Sequence, residues 1–593
     1  MLTQNSANTG EYIRSNCTSV VIPAVNKKSG KHILSVIASF ALLMLLIAGT
    51  GFLIMHKQST IAGYAAPLKS GIALSANFGE IRPGHKHMGL DIRTNGKENM
   101  EVRSVADGYV SRVGVSASGY GKVIYITHNN NRTSVYAHLN EFYSVIEDAV
   151  LDRQLKSKSR EQDILFAKGR FPVTKNMLIG LSGNTGHSEG PHLHFEWRDT
   201  KSGASLNPQK ELFRLNDGIA PVIEELLVYD PSAVSAKGAI ARITNPSINR
   251  GKQIVVNVSA ICFGVSAVDK MNNNQFNLGT YKISVFDNSE LIFETSKDSI
   301  NQNHILSLQN EIDYRLWYNS GVFAEYLFTR NTGADATILR RQKKTGIVDL
   351  SDKKSHHIVI RAVDLGGNAS EIEFDIRSGN TGRGGTFALH GQKVKAGVKS
   401  VRRSGNWVFD FMIGSLFDDI GFNAVHKASL YPSSVSETIT VGDPAVALKD
   451  SLKVTLKLKD PANDHSVFVL SNDVFYDVIR PLANLDRVSC SLPVFGDLTL
   501  VNDRVAPVIG LVGWRNHGKL PQGDLVSLNI SDNLKKTGEF AAFIDGAWVP
   551  FNQKGNRFWY SIPAGTKRGR HKLVVSVSDI AGNLTRNTFH FEY

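Results

Sequence analysis

"GPHLHFEW", residues 190–197, places two histidines one residue apart in a short apolar run. Side chains alternate faces along a β-strand, so His192 and His194 point one way while Leu193 and Phe195 point the other. One face goes to a core, and the other brings two imidazoles to a common spot. A single strand histidine is more often a hydrogen-bonded surface or core residue. Two rings on one face suit a metal or proton-transfer site.

Partners for these rings lie upstream. "NFGEIRPGHKHMGLDIR", residues 77–93, holds His87 and Asp91 four apart, with Gly89 between them in a turn-rich lead into an apolar strand. Histidine and carboxylate are both good zinc ligands, and a close pair plus one distant ligand is a common way to build a site. "SVYAHLN", residues 134–140, ends an alternating strand on His138. Each piece alone is cheap. Their order, closed by "SGNTGHSEGPHLHFE" at 182–196, is a joint pattern that chance would seldom produce.

On these residues the sequence resembles the lysostaphin-type zinc metallopeptidases, which cut peptide bonds in peptidoglycan. The resemblance runs from about Asn77 through Pro208 and includes "FGEIRPG", "HMGLDI", "ADGYV", "GYGKVIYITH", "YAHL", "IGLSGNTG" and "GPHLHFE". It implies an antiparallel β-sheet fold with a groove over one face. It also implies Zn2+ held by His87, Asp91 and His194, with His138 and His192 as the catalytic histidines. Three protein ligands leave zinc an open position for water, whose pKa zinc lowers from 15.7 towards about 7. Two neutral imidazoles and one carboxylate leave a residual charge of about +1, suited to a developing oxyanion. There is no His-Glu-x-x-His motif, so His138 and His192 share the tasks of orienting water, moving a proton and steadying the oxyanion. His85, two residues before His87, is a competing ligand, though the family spacing favours His87. His187 receives no catalytic role.

The resemblance covers roughly a quarter of a 593-residue chain, whose length predicts roughly three to five domains. From Ile33 to Met55 the sequence carries no charge, enough to cross a bilayer core of about 30 Å. Arg14, Lys27, Lys28 and Lys31 precede it, so the positive-inside bias predicts a cytoplasmic N-terminus and an exported remainder. A cleaved signal peptide is the alternative, with "AGYAA" at 62–66 as the cut, but its leader would be unusually long. Three cysteines form no disulfide framework, and Cys262 and Cys490 are expected as buried free thiols. The net charge of +13 is diffuse, which predicts a solvated basic surface and no nucleic-acid partner.

Between residues 67 and 213 short apolar runs alternate with glycine-containing turns, as in a succession of strands. "NEFYSVIEDAVLDRQLKSK" interrupts them with Phe142, Val145, Ile146, Ala149 and Val150 at helical spacing, which reads as an inserted surface helix. Beyond 213 an internal repeat appears. "HHIVIRAVDLGGNASEIEFDIR" at 356–377 matches "HKLVVSVSDIAGNLTRNTFHFE" at 571–592 without a gap. "DGIAPVI" from Asp217 likewise matches "DRVAPVI" from Asp503. Two such units read as immunoglobulin-like β-sandwich modules.

The expected fold class is therefore all-β dominated. It comprises a cytoplasmic tail (1–32), a transmembrane signal anchor (33–55), a linker (56–66) and a lysostaphin-like peptidase domain with a helical insertion (67–213). A first sandwich (214–378), a β-rich unit (379–502) and a last sandwich (503–593) follow. The expected function is zinc-dependent hydrolysis of peptidoglycan peptide stems in the periplasm, with the inner membrane as anchor and the β-rich tail open to a cell-envelope protein partner. By resemblance the bond would be a D-alanyl cross-link rather than a pentaglycine bridge. A non-catalytic activator of other wall hydrolases is the second reading, and a β-sandwich adhesin the third.

Overall fold

The computed structural model describes residues 59–593, apart from 235–237, 250, 252, 273, 303–309, 331–337, 342–344, 380–390, 485 and 522–523. The 33–55 segment and Cys17 lie outside the described residues, among which no helix is long and apolar enough to cross a membrane. Strands dominate, as the alternating pattern predicts.

In residues 67–213 three long strands meander: Gly108–Val115, Lys122–His128 and Arg132–Phe142. The turns between them fall in "SASGYG" and "NNN", where glycine and asparagine ease tight reversal. Strand His192–Asp199 lies between Arg132–Phe142 on one side and Leu90–Arg93 on the other, antiparallel to both. Its alternation is as read: Leu193, Phe195 and Trp197 are fully buried in the main core, with Leu90, Ile92, Tyr136 and Leu139. The expected helix forms at Ser144–Ser157, burying Ile146 and Val150, whereas Phe142 ends the preceding strand instead. Cys262 and Cys490 are free and buried, and burial raises both thiols above their ordinary range.

Downstream, each of three units folds around its own buried cluster. In the last unit two sheets, of four and five strands, close on a shared core. The repeat is exact in register: Val363 pairs with Ala369 and His356 with Ile376, as Ser578 pairs with Leu584 and His571 with Phe591.

The sheet of residues 67–213 does not stop at residue 213. Ser205–Leu206 pairs with the end of Glu290–Ile300, and Leu278 and Ile300 join the main core. Lys86, on the hairpin beside the histidines, forms a fully buried ion pair with Glu311 at 3.0 Å. Removing one member of such a pair strands a charge in a low-dielectric interior. Glu311→Ala is therefore expected to destabilise the protein by about 3–5 kcal/mol, read as a lower urea midpoint, with the site hairpin losing amide protection first.

Candidate metal centre

His87, Asp91 and His194 converge, each buried, with ligand atoms within 4.8 Å of one another. His87 Nε2 and His194 Nδ1 lie 3.0 Å apart, and each sits close to Asp91 Oδ1, at 3.0 and 2.9 Å. Strand pairing produces this geometry. Asp91 sits directly opposite His194 in the antiparallel ladder, and opposed residues share a face. Gly89 lets the two strands approach: a Cβ there would lie 2.2 Å from the carbonyl oxygen of Phe195.

His138 reaches the same face by a different route. Val135 and Ala137 belong to the small cluster on the groove face, while Tyr136 and Leu139 belong to the main core. Strict alternation would send His138 into the core. Instead one extra residue is inserted, seen as the register shift between Lys122–Leu139 and Ile124–Tyr136. His138 itself adopts φ 59°, a left-handed conformation rare outside glycine and asparagine. This bulge turns the ring towards His192, with ring centroids 4.8 Å apart, and towards His194 at 5.8 Å.

The ring nitrogens facing away from the cluster are all held. A backbone carbonyl can only accept, so Nδ1 of His87 donates to Asn77 O at 2.7 Å and Nδ1 of His138 to Thr185 O at 2.8 Å. Nδ1 of His192 likewise donates to Gly190 O at 2.8 Å. His194 turns its Nε2 to Glu196 Oε1 at 2.9 Å, leaving Nδ1 for the site. Held this way, His87, His192 and His194 turn their remaining ring nitrogens toward Asp91 Oδ1, at 3.0, 3.4 and 2.9 Å. Two imidazoles and one carboxylate, each held by a hydrogen bond to a group behind it, fit zinc as a set of donors.

Electrostatics agree. Burial, reinforced by neighbouring cationic groups, pulls His87 down to about 4 and His138 down to about 3, so both rings are neutral at physiological pH. Burial also works against His194, but hydrogen bonds with Asp91 and Glu196 outweigh it and raise that ring to about 9. A histidine held between two carboxylates draws positive charge into the site, as a proton or as a metal ion. Glu196 is fully buried and, despite that burial, held down to about 2 chiefly by Arg198, which it meets at 2.6 Å.

His85 stays outside the group, with Nδ1 near Pro83 O at 3.3 Å, and His187 is exposed in its loop. Sequence reasoning missed the orienting residues. Arg82 donates to Asp91 Oδ2, and Tyr120 donates to Glu196 at 2.5 Å. Glu196 carried a readable signal, since it follows His194 at the same-face spacing within the quoted motif.

Peptidase family M23 matches residues 85–155, the stretch holding His87, Asp91 and His138. The chain carries a peptidase family M23 domain. The chain is 34% identical over 130 residues to an uncharacterized metalloprotease of Haemophilus influenzae, covering 22% of this chain and 21% of that protein. It is 32% identical over 122 residues to the DD-carboxypeptidase/endopeptidase Mpg of Neisseria meningitidis, 21% of this chain and 22% of the relative. It is also 31% identical over 136 residues to the murein hydrolase activator NlpD of Salmonella dublin, 23% of this chain and 28% of the relative. The matches thus span 21% to 28% of these relatives' length. Among solved structures, the catalytic domain of the M23 protein EnpA from Enterococcus faecalis is 22% identical, covering 24% of this chain and 95% of that domain, with a TM-score of 0.18.

Glu196→Gln keeps the shape of the side chain while removing the charge that orients His194. Loss of such a partner is expected to weaken zinc binding about 10- to 100-fold, measured by chelator competition, with the fold unchanged by circular dichroism.

Proposed function

We propose that the chain is a zinc-dependent endopeptidase that hydrolyses peptide cross-links of bacterial peptidoglycan. The observation that carries this reading is the convergence of His87 Nε2, Asp91 Oδ1 and His194 Nδ1 within 3.0 Å, with His138 and His192 beside them. Those three atoms would hold zinc. Bound there, zinc supplies a Lewis acid and lowers the pKa of a coordinated water towards about 7.

The chain's own residues do the rest. Asn77 and Glu196 lock the ligand rings, and Arg82 takes the second oxygen of Asp91, leaving Oδ1 for the metal. His138 and His192 keep Nδ1 protonated against Thr185 and Gly190, so Nε2 is the nitrogen each turns to the site, that of His192 resting 3.4 Å from Asp91 Oδ1, to take a proton from the attacking water or pass one to the leaving amine. The substrate in this reading is a D-alanyl cross-link of the peptide stems. The uncharged 33–55 segment behind Lys27, Lys28 and Lys31 supports an inner-membrane anchor, with the M23 domain and three β-units in the periplasm. The β-units, two of them immunoglobulin-like and all distal to the anchor, would act as spacers, restrain the enzyme or dock an envelope protein.

The NlpD relatives favour a second reading, a non-catalytic activator of wall hydrolases. The intact set of five residues supports catalysis instead. Digestion of purified peptidoglycan by the zinc-loaded protein, with products identified by mass spectrometry, separates the two. Cross-linked dimers are expected to fall to monomers, and intact dimers beside fully zinc-loaded protein would leave the activator reading. In the same assay His138→Ala is expected to keep its zinc while losing about 10²- to 10⁴-fold in kcat.

A further inference from the structure

Outside the histidine site, two groups of three aspartates repeat one arrangement. Asp217, Asp269 and Asp364 bring one oxygen each within 4.8 Å of one another, and so do Asp503, Asp532 and Asp579. Asp217 and Asp503 open the two "APVI" units, and Asp364 and Asp579 are the aspartates of the matched turns. The third member of each group is equivalent by topology. Val222 pairs with Val268 and Asp269 follows; Val508 pairs with Ser531 and Asp532 follows.

The supporting hydrogen bonds are also duplicated. Asn368 donates its backbone N–H to Asp364 Oδ1 at 2.8 Å and its amide to Asp364 Oδ2 at 2.7 Å. Asn583 does the same to Asp579, at 2.9 and 2.7 Å. The same two amides reach the carbonyls of Asp217 and Asp503, at 3.2 and 2.9 Å. These bonds fix the carboxylates but neutralise none of them, and among the described residues none of the six enters an ion pair.

One atom in each group has no partner at all. Asp269 Oδ1 and Asp532 Oδ1 are buried without a hydrogen bond, and Asp269 as a whole is 5% exposed. A buried unpaired carboxylate oxygen beside two further carboxylates is costly unless something positive meets it. Burial first, and the neighbouring aspartates next, push Asp269 up to about 7 and Asp532 up to about 6.

We propose that the two aspartate groups are twin calcium sites, one at the head of each repeated unit. An all-oxygen donor set without imidazole or thiolate selects a hard cation. Carboxylates drawn from three separate chain segments suit the irregular coordination that calcium accepts and magnesium's octahedron does not. Each ion would tie the incoming chain, at Asp217 or Asp503, to the unit's closing hairpin. The first would also stiffen the junction with the M23 domain, because its aspartates share a cavity with Asn77 and Asn207. This proposal stands apart from the hydrolase reading.

The test is calorimetric titration of CaCl2 into the full-length, zinc-loaded protein after passage over a chelating resin. Two calcium equivalents per chain are expected, with dissociation constants of about 1 mM or tighter, together with a rise in the thermal midpoint. Asp364→Asn and Asp579→Asn should each lose one equivalent, and the double variant both, with zinc content unchanged. Asp269→Asn disturbs no hydrogen bond at Oδ1, so it should lose one equivalent yet melt higher than the parent in calcium-free buffer. No binding by the parent at about 10 mM calcium, an equal response to magnesium, or two equivalents retained by the double variant would overturn the proposal.

Discussion

The structure depends on the way strand His192–Asp199 is clamped. It lies between the strands that carry Asp91 and His138, and so brings residue 194 to both. Its inward face, Leu193, Phe195 and Trp197, sits at the centre of the core, so the strand cannot shift by one residue without burying its histidines and exposing three large apolar side chains. The packing that seats the strand thus fixes the register of the site. Groups that must be held to within a fraction of an ångström are carried by a strand seated in the most deeply buried part of the core.

Much of this was legible from residue order. The period-two alternation of "HLHFEW" gave the two faces, and His-x3-Asp at a turn gave the second arm of the ligand set. The inserted helix was readable from its spacing, and the repeat from an ungapped match that the hairpin registers reproduce residue by residue. Other features were not legible. His138 stands on the groove face only because a bulge breaks the alternation that sequence reading relies on. Arg82, Asn77 and Thr185 act through a long side chain or a backbone carbonyl, and neither leaves a residue-type signature. Asp269 and Asp532 escaped notice because strand pairing brings them to partners far away in sequence.

The boundary after residue 213 shows the same limit. Composition and motif content change there, but hydrogen-bonding and packing do not. Ser205–Leu206 extends the sheet into the next unit, and the Lys86–Glu311 pair locks the site hairpin to it. The last unit also touches the M23 domain, where Lys554 donates to Asn184 O at 2.8 Å in the loop before the histidine strand. The β-units are therefore in mechanical contact with the site, and stiffening their junctions would be felt there.

The central claim is that His87, Asp91 and His194 together hold one zinc ion. Zinc K-edge X-ray absorption on the purified, zinc-loaded protein tests it most directly. The account predicts one zinc per chain with two imidazole nitrogens and oxygen donors at about 2.0–2.2 Å, no sulfur, and one imidazole fewer when His194 is replaced by alanine. A protein that takes up no zinc, or a spectrum left unchanged by that replacement, would contradict it.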